Sequence, residues 1–187
     1  SFYSDKMDAI VEDLESKNLL HESKGALIVD LEKYNLNPAL IKKTDGATLY
    51  ITRDLATAAY RKKTFNFVKS LYVVGGEQTN HFKQLKAVLK EAGYDWSDDM
   101  VHVPFGMVAL EEGTMSTRKG RVVFLEDVLK QAVEKTKEIV LSKNPNAKNV
   151  EQIAKQVGVG AVVFQELSNS RIKDYTFSWE RTLSFEG

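Results

Sequence analysis

The chain has 187 residues and no cysteine, which excludes disulfides and thiolate metal sites. Its 26 basic residues balance 26 acidic ones, so bulk charge makes no case for a nucleic-acid binder and such a role would need a local patch. Hydrophobic residues make up 43%, enough for the core of one domain with a small appendage, yet no apolar run is long enough to span a bilayer. Three widely spaced histidines give no reason to expect a bound metal, and a soluble cytoplasmic protein is the default expectation. Met7, Ile10, Val11 and Leu14 recur at helical spacing, with Ser4 available as N-cap. Leu19-Leu20 and Ala26-Leu27-Ile28-Val29 flank the turn Glu22-Ser23-Lys24-Gly25 and predict a hairpin. Residues 31–46 are polar and irregular and end in the turn pair Asp45-Gly46. Residues 1–46 therefore read as a helix and β-ribbon that pack against something else.

From Ala47 the pattern changes. Ala47-Thr48-Leu49-Tyr50-Ile51 predicts a short strand, and Thr52 a cap for a helix carrying Leu55, Ala58 and Ala59 on one face. Leu71-Tyr72-Val73-Val74 is almost wholly apolar, as expected of a strand covered on both faces, and it breaks at Gly75-Gly76. A helix with Phe82, Leu85, Val88, Leu89 and Ala92 inward follows, stopped by Gly93. Met100-Val101-His102-Val103 is a third strand, ended by Pro104, and Val128, Leu129, Ala132 and Val133 mark a further helix. Residues 149–170 predict more helix, broken near Gly158 and Gly160, before an aromatic-rich tail at 171–187. Strands alternating with helices across short links predict an α/β fold with a parallel sheet.

Ligands of such sheets bind beyond the carboxyl ends of the strands. After the first strand come Tyr50, Thr52, Arg53 and Asp54; after the second, Gly75, Gly76, Glu77, Gln78, Asn80 and His81. After the third come Phe105, Gly106, Met107 and Val108, and then Gly113-Thr114-Met115-Ser116-Thr117-Arg118-Lys119-Gly120-Arg121. The hydroxyls of Ser116 and Thr117 and the three cations that follow them can hold a polyphosphate, and the glycines of that stretch permit movement. Each feature also has a plain structural explanation. A basic loop is commonly a solvated turn. Asp54 in the first turn of a helix would favourably meet the helix dipole without binding anything. Gly75-Gly76 serves as an ordinary strand-to-helix turn, His81 as a surface or capping residue, His102 as a satisfied core histidine, and Tyr50 as core packing. Neither G-x-G-x-x-G after a strand nor G-x-x-x-x-G-K-[ST] occurs, which excludes an ordinary dinucleotide or P-loop site.

These residues carry a resemblance. Met115-Ser116-Thr117-Arg118-Lys119-Gly120 resembles the second signature loop of class I aminoacyl-tRNA synthetases. Gly46-Ala47-Thr48-Leu49-Tyr50-Ile51-Thr52-Arg53-Asp54-Leu55-Ala56 resembles the segment lining the arginine pocket of the arginyl-tRNA synthetase family. Tyr72 to Gln78 with His81-Phe82, His102 to Val108, and Asp174-Tyr175-Thr176-Phe177-Ser178-Trp179-Glu180 resemble further stretches of that family, in order, over the whole chain. The resemblance implies half of a Rossmann-like parallel nucleotide-binding sheet with flanking helices at 47–145. It implies a connective helix and ribbon at 1–46, and helices at 146–187 leading towards an anticodon-binding domain. It further implies that Tyr50, Asp54 and Gln78 contact arginine. Gly75, Gly76, Glu77 and His81 would face ATP on its ribose side, backbone around Phe105, Gly106, Met107 and Val108 would lie near adenine, and Ser116, Thr117, Arg118 and Lys119 would act on the phosphates. The implied substrates are arginine, ATP with Mg2+, and tRNA(Arg); no membrane is implied.

The sequence departs from the family in two ways. Thr114 and Thr117 stand where the commonest class loop has lysines, which shifts the phosphate role to Arg118 and Lys119. A His-x-Gly-His first signature does not occur in the 187 residues, so the chain is expected to be a piece of a longer enzyme and inactive alone. Two alternatives stay open: a class I synthetase for another amino acid, or a non-catalytic RNA-binding or regulatory module built from the same half-fold.

Overall fold

A computed structural model describes residues 2–110 and 124–184. The backbone forms two compact units, Ser1–Pro104 and Phe105–Gly187. In the first, helix α1 (Met7–Ser16) buries Met7, Ile10 and Leu14 along one stripe, as their spacing requires. No side chain caps it: Ser4 opens a turn of 3-10 helix ahead of α1, and Lys6 takes the cap position. The expected hairpin is β1 (Leu20–Ser23) against β2 (Ala26–Val29), antiparallel. Its two turn residues, Lys24 and Gly25, both have positive φ, 51° and 79°, the combination that matches the twist of a two-residue hairpin. The stretch at 31–46 is more ordered than its polarity suggests. It supplies a third antiparallel strand, β3 (Ala39–Lys42), and buries Leu31 and Ile41 completely.

The strand expected at 47–51 does not form. Thr48 makes one isolated antiparallel bridge to Lys42, and from Tyr50 the chain is helical in α2 (Tyr50–Phe65). Short apolar runs are ambiguous between the two periods, and here Ile51, Leu55 and Ala58 are buried at helical spacing. Thr52 is no cap either. It lies inside α2, fully buried, and its hydroxyl donates to the Ile41 carbonyl at 2.5 Å, tying α2 to β3.

Strand β4 (Ser70–Gly75) leads through a 3-10 turn (Gly76–Gln78) into α3 (Thr79–Glu91) and back to β5 (Met100–Phe105), its partner in a two-stranded sheet. Helix α3 buries Leu85, Val88 and Leu89, and Gly93 lies just beyond it at φ 77°, as expected. Strand β4 is not covered on both faces. Tyr72 and Val74 are half-buried, with the Tyr72 ring 5.1 Å from that of Phe82, whereas Leu71 and Val73 are 62% and 66% exposed. Pro104 does not end β5, which continues through it to Phe105.

In the second unit, β6 (Val108–Leu110) pairs in parallel with β7 (Tyr175–Phe177), and α6 (Trp179–Thr182) follows directly. Helix α4 (Leu125–Lys143) packs on α5 (Val150–Ser168) through Ala132, Ala154 and Val162. The expected break near Gly158 and Gly160 is absent, because tertiary packing outweighs the weak helix propensity of glycine. A Cβ on Gly158 would come within 2.8 Å of the Ala132 carbonyl oxygen and 3.0 Å of the Val133 Cα, so the helix axes approach at a point only glycine fits. Gly158→Ala is therefore expected to lower stability in urea denaturation by about 1–3 kcal/mol, the usual cost of overpacking. A Cβ on Gly160 meets nothing within 4 Å. Gly160→Ala is expected to be neutral or to gain up to about 1 kcal/mol from helix propensity, and equal effects at the two positions would rule out the close approach. The mixed α/β class expected from the sequence, with flanking helices and a parallel strand pair, holds.

Candidate functional site

The first unit places its candidates around the N-terminal end of α2 and the turn from β4 to α3. Leu49 is extended (ψ 174°) and the helix begins at Tyr50, so Tyr50 stands at a helix start and not at a strand end. Tyr50 is 78% exposed, which excludes the core-packing explanation, and the Arg53 guanidinium lies 5.8 Å from its ring centroid. Asp54 is one turn of α2 further on, the spacing that brings two side chains onto the same face. It is the fifth residue of the helix, and the first turn of α2 carries no acid. The dipole explanation for Asp54 weakens accordingly, since that field falls off within the first turn.

The Asp54 carboxylate has a partner: His81 Nε2 lies 2.7 Å from its Oδ2. His81 is the third residue of α3, set there by the turn Gly75-Gly76-Glu77-Gln78, in which the Thr79 hydroxyl donates to the Gly76 carbonyl at 2.6 Å. Glu77 and Gln78 are exposed in that turn, and Gly75 is half-buried. His102 matches the structural expectation. Its Nε2 lies 3.0 Å from the Val74 carbonyl and its ring stacks on Phe82 at 4.5 Å.

In the second unit Phe105, Gly106, Met107 and Val108 line a hollow of about 640 Å³ together with Glu166, Leu167, Arg171, Lys173 and Tyr175. The 105–108 backbone is fixed to the 171–175 segment. Gly106 N–H donates to the Arg171 carbonyl at 2.8 Å, Met107 N–H to the Asp174 carboxylate at 2.7 Å, and Tyr175 N–H to the Met107 carbonyl at 3.1 Å. A Cβ on Gly106 would come within 2.3 Å of the Lys173 carbonyl oxygen, so this approach requires glycine. Phe105 and Met107 are 40% and 43% exposed and give the hollow an apolar wall. The Tyr175 hydroxyl donates to Glu166, and burial together with that carboxylate pushes the phenol well above its ordinary range. Arg171 and Lys173, in the lining of this hollow, belong to the stretch 171–187 whose sequence shows only an aromatic-rich tail. The signal available was a pair of cations, Arg171 and Lys173, shortly before the strand Tyr175–Phe177.

Ser116, Thr117, Arg118 and Lys119 lie outside the described residues. Among the described residues no cluster of three or more His, Asp or Glu is placed to hold a metal ion, and no helix is long and apolar enough to cross a membrane.

The first unit thus offers a carboxylate paired with a histidine, and the second a hollow with an apolar wall and two cations in its lining, on an α/β frame. The same fold is found in two solved structures aligned over 100% of this chain. One is the arginyl-tRNA synthetase of Plasmodium falciparum (TM-score 0.80, 24% identity, 32% of that chain), the other that of Thermus thermophilus (0.82, 22%, 37%). Curated relatives are far closer in sequence. Arginine–tRNA ligases of Lactococcus lactis subsp. lactis and Clostridioides difficile are 77% and 73% identical over the whole chain. The family model for tRNA synthetases class I (R), catalytic domain, matches residues 1–179, and the chain belongs to that family. It spans about a third of the length of these curated relatives.

Proposed function

We propose that the chain is the arginine-recognising part of an arginine–tRNA ligase catalytic domain, acting in the cytoplasm on arginine, ATP and tRNA(Arg). The observation that carries this is the half-exposed Asp54 carboxylate on α2, set beside Tyr50 in a chain whose residues 1–179 match the family. A guanidinium presents a planar fork of donors, and a carboxylate accepts two of them at once. Tyr50, Asp54 and Gln78 would hold the arginine side chain. Gly75, Gly76 and Glu77 would face the ribose, and the hollow at Phe105, Gly106, Met107 and Val108 would take the adenine against its apolar wall. The reaction is attack of the arginine carboxylate oxygen on the α-phosphorus of ATP, with pyrophosphate leaving, followed by transfer of the arginyl group to a tRNA hydroxyl. It calls for alignment and for stabilisation of charge on the leaving pyrophosphate more than for an acid or base. Ser116, Thr117, Arg118 and Lys119 would supply that charge stabilisation, and Mg2+ would enter with ATP as part of the substrate. The segments 1–46, 47–145 and 146–187 would serve respectively as connector, nucleotide-fold half and lead to an anticodon-binding domain.

The test is a chimera in which this 187-residue segment replaces its counterpart in the Lactococcus lactis ligase. With tRNA(Arg) present, arginine-dependent ATP–pyrophosphate exchange is expected from the chimera. None is expected from the 187 residues alone, whose sequence has no His-x-Gly-His signature to complete an ATP site. A folded chimera without exchange would overturn the assignment, and exchange by the segment alone would overturn the dependence on the first signature.

A further inference from the structure

We infer that His81 is a positioning residue for arginine recognition: its Nε2 holds Oδ2 of Asp54 so that the remaining oxygen, Oδ1, faces the substrate guanidinium. The inference rests on the reading of Asp54 as the arginine-binding carboxylate, and it moves His81 from the ATP side of the site, where the family resemblance put it, to the arginine side.

The two residues are 27 positions apart, on α2 and α3, and meet at 2.7 Å. Helices α2 and α3 pack on each other in the core of the first unit through Leu55, Ala58, Leu85 and Leu89, all buried, so the distance between the two backbones is set by packing and not by the pair itself. The His81 side chain is 22% exposed and that of Asp54 is 39% exposed. The imidazole is thus the more enclosed partner and the carboxylate the more accessible one, the arrangement wanted if the histidine orients and the acid binds. The Phe82 ring also lies roughly perpendicular to the imidazole, with centroids 5.4 Å apart at 82°, which restricts its rotation. An aspartate with no such partner samples several rotamers, and arginine would have to select one of them; a carboxylate already fixed loses less freedom on binding. With Nε2–H donating to Oδ2, two lone pairs of Oδ1 remain for the guanidinium.

In the chimera, His81→Ala is expected to raise the KM for arginine about tenfold, the scale for losing the residue that orients a ligand-binding group. The KM for ATP and kcat should stay within about twofold, because the pair touches ground state and transition state alike. His81→Gln, whose side-chain amide nitrogen reaches roughly where Nε2 stood, should recover most of the loss. His81→Asn, which is too short, should behave as Ala. On an Asp54→Asn background His81→Ala should add little further, since the carboxylate that His81 orients is then gone. If Ala lowers the melting temperature too far to assay, the contrast between Gln and Asn carries the test. A rise in the KM for ATP with the arginine KM unchanged would return His81 to the nucleotide and overturn the inference, and so would equal effects of Gln and Asn. If Asp54→Asn itself leaves the arginine KM unchanged, the arginine-pocket reading falls and the inference with it. If Asp54→Asn weakens arginine and His81→Ala does not, only the inference falls.

Discussion

Asp54→Asn in the chimera is expected to lower kcat/KM for arginine by about 2–4 kcal/mol, the scale for breaking a desolvated charge pair by neutralising one partner. The substitution keeps the shape of the side chain and its hydrogen bond to His81 can persist, but the negative charge that matches a guanidinium is lost. The effect should fall on arginine alone, with the KM for ATP little changed. Discrimination against citrulline gives a second readout. A site built to accept guanidinium donors rejects an analogue lacking them by roughly 10⁴ or more, and Asp54→Asn should narrow that ratio by weakening arginine far more than citrulline. The competing explanation is that Asp54 only complements the dipole of α2. It predicts a change below about 0.5 kcal/mol in kcat/KM and a small loss of stability. The position of Asp54 beyond the first turn already speaks against it, and steady-state exchange kinetics on the folded variant decide between the two.

Local pattern carried much of the fold. Helices α1, α3 and α4 and the β1–β2 hairpin were legible because each shows one face to a core, and amphipathic spacing is a direct imprint of that burial. The errors fall where a non-local contact decides. Ala47-Thr48-Leu49-Tyr50-Ile51 has strand-forming residues, yet Ile51 and Thr52 are claimed by the core beneath α2, and Thr52 is tied to Ile41 eleven residues away. Gly158 looks like a helix breaker until Ala132 of α4 fills the space where its side chain would be. The parallel pairing of β6 with β7 joins residues almost seventy positions apart and leaves no local trace. The candidate site divides in the same way. Asp54 and His81 were each recognisable as chemistry-bearing residues at the ends of elements. Their pairing was not, because it depends on how α2 and α3 pack.

Lys119→Ala in the chimera is expected to cut kcat for adenylate formation by roughly 10²-fold, the range for removing one preorganised charge stabiliser, while the KM for ATP moves only a few-fold. Residues 111–123 lie outside the described residues, so the expectation rests on the order of residues in the sequence: Ser116 and Thr117, then Arg118 and Lys119, between Gly113 and Gly120. Negative charge on the pyrophosphate grows as its bond to the α-phosphorus lengthens, so a cation that meets that charge gains most at that moment. An interaction stronger in the transition state than in the ground state appears in kcat and not in KM. On the family resemblance, Thr114 and Thr117 stand where the commonest class loop has lysines, so the proposed function gives the phosphate role to Arg118 and Lys119. Arg118→Ala should therefore behave like Lys119→Ala, and the double variant should lose less than the sum of the two if both act on the same phosphates. Pre-steady-state adenylate formation against ATP concentration separates the outcomes. A strong rise in KM at unchanged kcat would make the pair a static clamp on ground-state ATP. Wild-type behaviour of both single variants would mean that these cations belong to a solvated turn, and the charge stabilisation of the leaving pyrophosphate would then have to come from elsewhere in the ligase.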